Sequence, residues 1–95
     1  MSMKYVIFES HGLVHPVIFG DHTSHKSVSV RDGKPVSAGF FVLNSIGWPR
    51  VYGESESLKL GNRGELDEDI IRRAMSEDTP TSLFMVEFNQ PETDE

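Results

Sequence analysis

The chain has no cysteine. Disulfides, thiolate metal sites and cysteine nucleophiles are therefore excluded, and a reducing compartment suits it. Long apolar runs are missing too. None approaches the roughly 18 residues of a membrane span, and the apolar core of the first strand, Tyr5 to Phe8, is too short for a secretory leader. There is one tryptophan and two tyrosines. Positive charge is scarce: the net charge is −6, distributed as +2 over residues 1–50 and −8 over 51–95. An acidic half without a basic, aromatic-interleaved stripe argues against direct nucleic-acid binding. These absences lead us to expect a soluble, intracellular protein, with neither membrane nor nucleic acid as partner.

What is present is a β-rich chain of 95 residues, which is one domain. We expect residues 1–88 to form it and 89–95 to be an acidic, flexible tail. Strands are predicted over 4–9, 13–19, 27–31, 34–43, 51–60 and 81–88. Ser10-His11-Gly12 marks the first hairpin turn, and Asp32-Gly33 predicts that 27–31 and 34–43 pair. Val36, Ala38, Phe40 and Val42 should share the heavier apolar face of 34–43. Pro16, lacking an amide proton, requires an edge or a bulge. On 51–60 the small residues Gly53, Ser55 and Ser57 alternate along one face, which suggests close packing against it.

One helix is predicted, over 65–76. Its first turn is acidic (Glu65, Asp67, Glu68, Asp69) and Arg72-Arg73 lie near its end, matching the helix dipole. Leu66, Ile70, Ile71 and Ala74 supply the apolar stripe that packs on the sheet. The expected fold is α+β: a mainly antiparallel sheet of five or six strands with one principal helix on one face. Burial and chain-ordering terms nearly cancel in a core of this size, so self-association through a sheet edge, as a homodimer, is expected.

All four histidines fall within 9–26: His11, His15, His22 and His25. Four imidazoles beside Glu9 and Asp21 resemble a metal cage. Strand 13–19 separates them, however, and should carry His11 to the end opposite His22 and His25. The residual metal site is Asp21, His22 and His25, a weak divalent site needing a fourth ligand, and no dedicated cofactor is expected. His15, on a face with Leu13, Val17 and Phe19, is an acid–base candidate or a half-buried histidine hydrogen-bonded to a neighbour, and the second is favoured.

Ser55 and Ser57 within GESES lack the second glycine of a nucleophile elbow, so packed small residues account better for them. Gly61-Asn-Arg-Gly64 before the helix offers amides and Arg63 to an anion, but the acidic first turn opposes one. Trp48, between Gly47 and Pro49, either anchors a protein partner or folds over the core.

The succession YVIFE (5–9), HPVIF (15–19), HTSH (22–25), VSAGF (36–40), VYGESESL (51–58) and LDEDIIRRAM (66–75) resembles small proteins of undefined activity encoded in bacteriophages and prophages. The resemblance spans roughly residues 4–75. It implies a bacterial cytoplasm and an accessory or interaction role, and it supplies no catalytic residue or cofactor. The expected function is accordingly a small non-enzymatic protein acting by protein–protein contact or self-assembly. Two alternatives stand beside it: a metal-dependent or histidine-based hydrolase, and an acidic inhibitor of a DNA-binding protein. The inhibitor requires the carboxylates of 65–69, 77–78 and 87 on one face.

Overall fold

The computed structural model describes residues 2–76 and the backbone of 86–88. The expected tail, 89–95, and the first part of the last predicted strand, 81–85, lie outside the described residues.

Alternating apolar residues build the centre. β1 (Met3–Ser10) and β2 (Leu13–Phe19) form a hairpin in which Ser10 pairs with Leu13 and Lys4 with Phe19. His11, at φ 54°, and Gly12 close it, a two-residue connection whose left-handed backbone matches the strand twist. β4 (Lys34–Leu43) lies along the other side of β1, and β5 (Pro49–Tyr52) pairs with β4. The result is an antiparallel sheet in the order β2-β1-β4-β5.

Both faces of this sheet are buried, because β1 is apolar on both sides. Val6 and Phe8 pack with Val17, Phe19, Ala38 and the residues of β3 (Val28–Val30). On the opposite face Tyr5, Ile7 and Phe41 pack against Ile71 of the α-helix α1 (Glu65–Ser76). Each such apolar side chain contributes about 1.5–3 kcal/mol by burial. The α+β class, with an antiparallel sheet and one α-helix among the described residues, is as expected.

The finer expectations fail in four places, each for a local reason. Among the described residues the main sheet has four strands, not five or six, because the strands near 27–31 and 81–88 pair with each other outside it; in addition, 51–60 is not one strand. Gly53 at φ 72° ends β5. The chain then forms β6 (Glu54–Ser55) and β7 (Leu60–Gly61), a separate small hairpin, with Lys59 at φ 58° in its turn. Asp32-Gly33 does form a turn, with Gly33 N donating to Val30 O (2.8 Å). Yet β3 pairs with β8 (Val86–Phe88), not with β4, which has β1 along one edge from Lys34 to Phe41 and β5 on the other from Phe40 to Leu43.

Between Ile7 and Phe8 the β1–β4 register slips, with Ser37 opposite Ile7 and Pro35 opposite Phe8. Val36 is the extra residue of this bulge and joins the helix-side cluster, leaving Ala38 on the other face. On the helix, Leu66 of the expected apolar stripe is exposed, and Asp67, read as one of the first-turn acids, is fully buried beside Ile71.

Gly39 sits where the chain passes over itself. A Cβ there would lie 3.0 Å from Tyr52 O and 3.3 Å from Gly53 O, so only glycine admits this approach.

Candidate functional site

The histidines are dispersed by the β1–β2 hairpin. His11 is at its exposed tip, and His15 is buried on β2 facing the β3 side. His22 and His25 follow Phe19 at the far end. Asp21 and His22 approach to 4.0 Å, with the His22 ring fully in solvent. His25 turns the other way. Its ring is fully buried and donates from Nε2 to Gly39 O (2.9 Å), and it packs edge-on against Phe19 and Phe40 at 5.6 and 5.3 Å. The tautomer follows from the partner, since a carbonyl only accepts. Asp21, His22 and His25 therefore do not converge, and among the described residues no three histidine or carboxylate side chains are placed to hold a metal ion.

A polar cluster that sequence reasoning missed lies under the helix start. Asp67 accepts hydrogen bonds from Tyr5 Oη (2.7 Å), Ser37 Oγ (3.0 Å), Arg63 N (2.9 Å) and Arg63 Nε (2.8 Å). A buried carboxylate is tolerable only when so satisfied. Burial, then the hydrogen bond and charge of Asp67, push the Tyr5 hydroxyl far above the ordinary tyrosine pKa. Asp67, Ile70, Ile71 and Ala74 share one helical face at the i, i+3, i+4, i+7 spacing. A carboxylate in that series was the available signal.

The same contacts dispose of the anion reading of Gly61–Gly64. Arg63 is engaged by Asp67, and Gly64 N donates to Asn62 Oδ1 (2.9 Å). Of the carboxylates that DNA mimicry would need, three of those described are engaged within the fold. Asp67 is buried, Glu68 accepts from Val51 N, and Asp69 binds both Arg72 and Arg73. Ser55 is buried, and its hydroxyl accepts from Leu58 N (3.2 Å), closing the β6–β7 turn.

Trp48 belongs to an exposed apolar end. The β4–β5 loop is pinned by Asn44, whose Oδ1 accepts from Ile46 N and Trp48 N (3.1 and 2.8 Å). Ile46 is 77% exposed, and Leu43, Trp48 and Met75 are about half exposed. The Arg72 guanidinium lies 4.6 Å from the Trp48 ring centre, a cation–π stack. Beside this loop an open groove of about 420 Å³ is lined by Met3, Ile18, Phe41, Val42, Leu43 and Met75. A second recess of about 230 Å³ shares Met75 and reaches Pro49 and Arg72.

No protein-family model matches the chain, and comparison with the curated proteins and with the solved structures finds no match. No helix among the described residues is long and apolar enough to cross a membrane.

Proposed function

We propose that this is a small non-enzymatic protein of phage or prophage type, working in a bacterial cytoplasm by protein–protein contact through its apolar end, with a second copy as the partner. The observation that carries this reading is the knob beside a groove. Ile46 is exposed on the β4–β5 loop, which leaves β4 at Leu43, itself a wall of an open cleft lined wholly by apolar side chains. A two-fold axis between two copies would seat each knob in the other's cleft, the self-complementarity that an isologous dimer requires.

Two features support it. Large exposed apolar patches mark interaction sites, and Trp and Arg concentrate at interface centres. The rim also carries little uncompensated charge, since Arg50 lies 3.4 Å from Glu68, and Arg72 and Arg73 are paired with Asp69. Two copies can therefore approach without like-charge repulsion there. The sheet edges are poorer interfaces, for reasons given below.

Sedimentation velocity tests the proposal. The wild type should be dimeric at high micromolar concentration, and Ile46→Asp monomeric with an unchanged melting temperature. Trp48 emission should shift to the blue on association. A wild type that remains monomeric at that concentration overturns the proposal.

A further inference from the structure

We propose that Glu68 guards the β5 edge, occupying the only amide that this strand offers outward and so preventing a second copy's strand from pairing there. Among the described residues β2 and β5 are the open edges of the main sheet. Unpaired edge amides are templates for another strand, and natural proteins blunt them.

The hydrogen-bond phase of the sheet identifies which amides face outward. Val51 N donates to Glu68 Oε2 (3.0 Å), away from β4. Val51 and its partner Phe41 therefore form a non-hydrogen-bonded pair, and by alternation the neighbouring pairs, Phe40–Tyr52 and Val42–Arg50, carry the ladder. On β5 only Pro49 and Val51 direct their backbone outward, and Pro49 has no amide proton. Val51 is thus the single outward donor, and the helix brings a carboxylate to it. Arg50 Nε, 3.4 Å from the same oxygen, holds that carboxylate in place.

The same phase extends across the sheet. Phe41 faces β1, so Ile7 bonds towards Ser37, its β4 partner, and Pro16 of β2 directs its proton-less nitrogen to solvent. Each open edge thus carries a proline at an outward position. β5 adds a side chain that can be withdrawn.

With Glu68 withdrawn, Val51 amides and carbonyls of two copies can exchange a pair of bonds, joining β5 to β5 antiparallel. This does not rest on the apolar-end dimer, and the test separates the two by using both the wild-type and the Ile46→Asp chains.

In either background Glu68→Asp keeps the charge at the helix start but is too short to reach. It should double the weight-average mass of the Ile46→Asp chain by sedimentation at high micromolar concentration, and carry the wild type, whose dimer has two β5 edges, beyond a dimer. Glu68→Gln retains an acceptor oxygen and should sediment like its parent. Adding Val51→Pro to Glu68→Asp removes the outward amide without costing a ladder bond and should restore the parent's mass. Glu68→Asp that stays folded and sediments like its parent refutes the guard, as does association that survives Val51→Pro. Should Glu68→Asp fail to fold, hydrogen exchange decides. The Val51 amide must be protected in the wild type, and an amide exchanging at the intrinsic rate of an unstructured peptide refutes the guard.

Discussion

Replacing Asp67 with asparagine should cost this domain about 2–4 kcal/mol. Each carboxylate oxygen accepts two hydrogen bonds: Oδ2 from the Tyr5 hydroxyl and the Arg63 amide, Oδ1 from Ser37 Oγ and Arg63 Nε. Asparagine keeps the shape but turns one oxygen into a donor. On either side the hydroxyl can rotate and accept, whereas the Arg63 N–H cannot. One donor is therefore stranded, at about 1–3 kcal/mol. The surviving bonds lose their charge assistance, roughly half their strength, and the guanidinium loses its counter-charge. Total stability in domains of this kind is about 5–15 kcal/mol, so the loss is a large fraction. The melting temperature should fall by at least about 8 °C, at about 4–8 °C per kcal/mol. Urea denaturation is the assay, with Glu65→Gln as control. Glu65 is an exposed first-turn carboxylate, so its loss removes only a dipole contribution of about 0.3–1 kcal/mol. If Asp67→Asn costs no more than Glu65→Gln, the carboxylate is an ordinary first-turn acid and the buried-cluster account fails.

Three further outcomes follow from the same geometry. Tyr5 is held protonated in the fold while an unfolded tyrosine ionises near about 10. Stability should therefore be intact below about pH 10 and decline as pH rises above it, because the unfolded chain then binds fewer protons. Tyr5→Phe should flatten that decline, and absorbance titration should show one of the two tyrosines ionising only on unfolding; equal slopes in both proteins would refute this. His25→Ala should destabilise by about 2–5 kcal/mol, as a core truncation does, while His22→Ala stays within about 0.5 kcal/mol of wild type; comparable melting curves for the two variants would show the placement to be wrong. Gly39→Ala should cost about 1–3 kcal/mol, because its Cβ meets two backbone carbonyls that cannot move aside; wild-type stability in urea would contradict the close approach.

What could be read from the sequence was whatever depends on neighbours in the chain. The β1–β2 hairpin follows from two apolar runs around Ser10-His11-Gly12, and the helix follows from its charges and its apolar spacing. The separation of His11 from His22 and His25 follows from strand length alone. Pairing between distant segments was not legible. Asp32-Gly33 marks a turn in the sequence, but whether the flanking strands pair depends on which edges of β4 remain free, and β1 arrives there from thirty residues away. The break in 51–60 was misread because Gly53 and Ser55 fit an alternating strand, and equally fit a left-handed turn followed by a serine-capped one.

The buried cluster shows why acidic residues in a helix start are ambiguous. Glu65, Asp67, Glu68 and Asp69 have one composition and four different surroundings: solvent, core, a strand edge and a pair of arginines. Rotation about the helix separates them, by about 100° per residue. Asp67 points at the sheet centre, so it must find donors there, and Tyr5 and Ser37 stand on adjacent strands opposite the helix start. Glu68, one step further round, reaches past the sheet to its edge. A dipole argument treats these carboxylates as interchangeable. The helical wheel does not, and it ties one to the stability of the helix on the sheet and the next to keeping the edge closed.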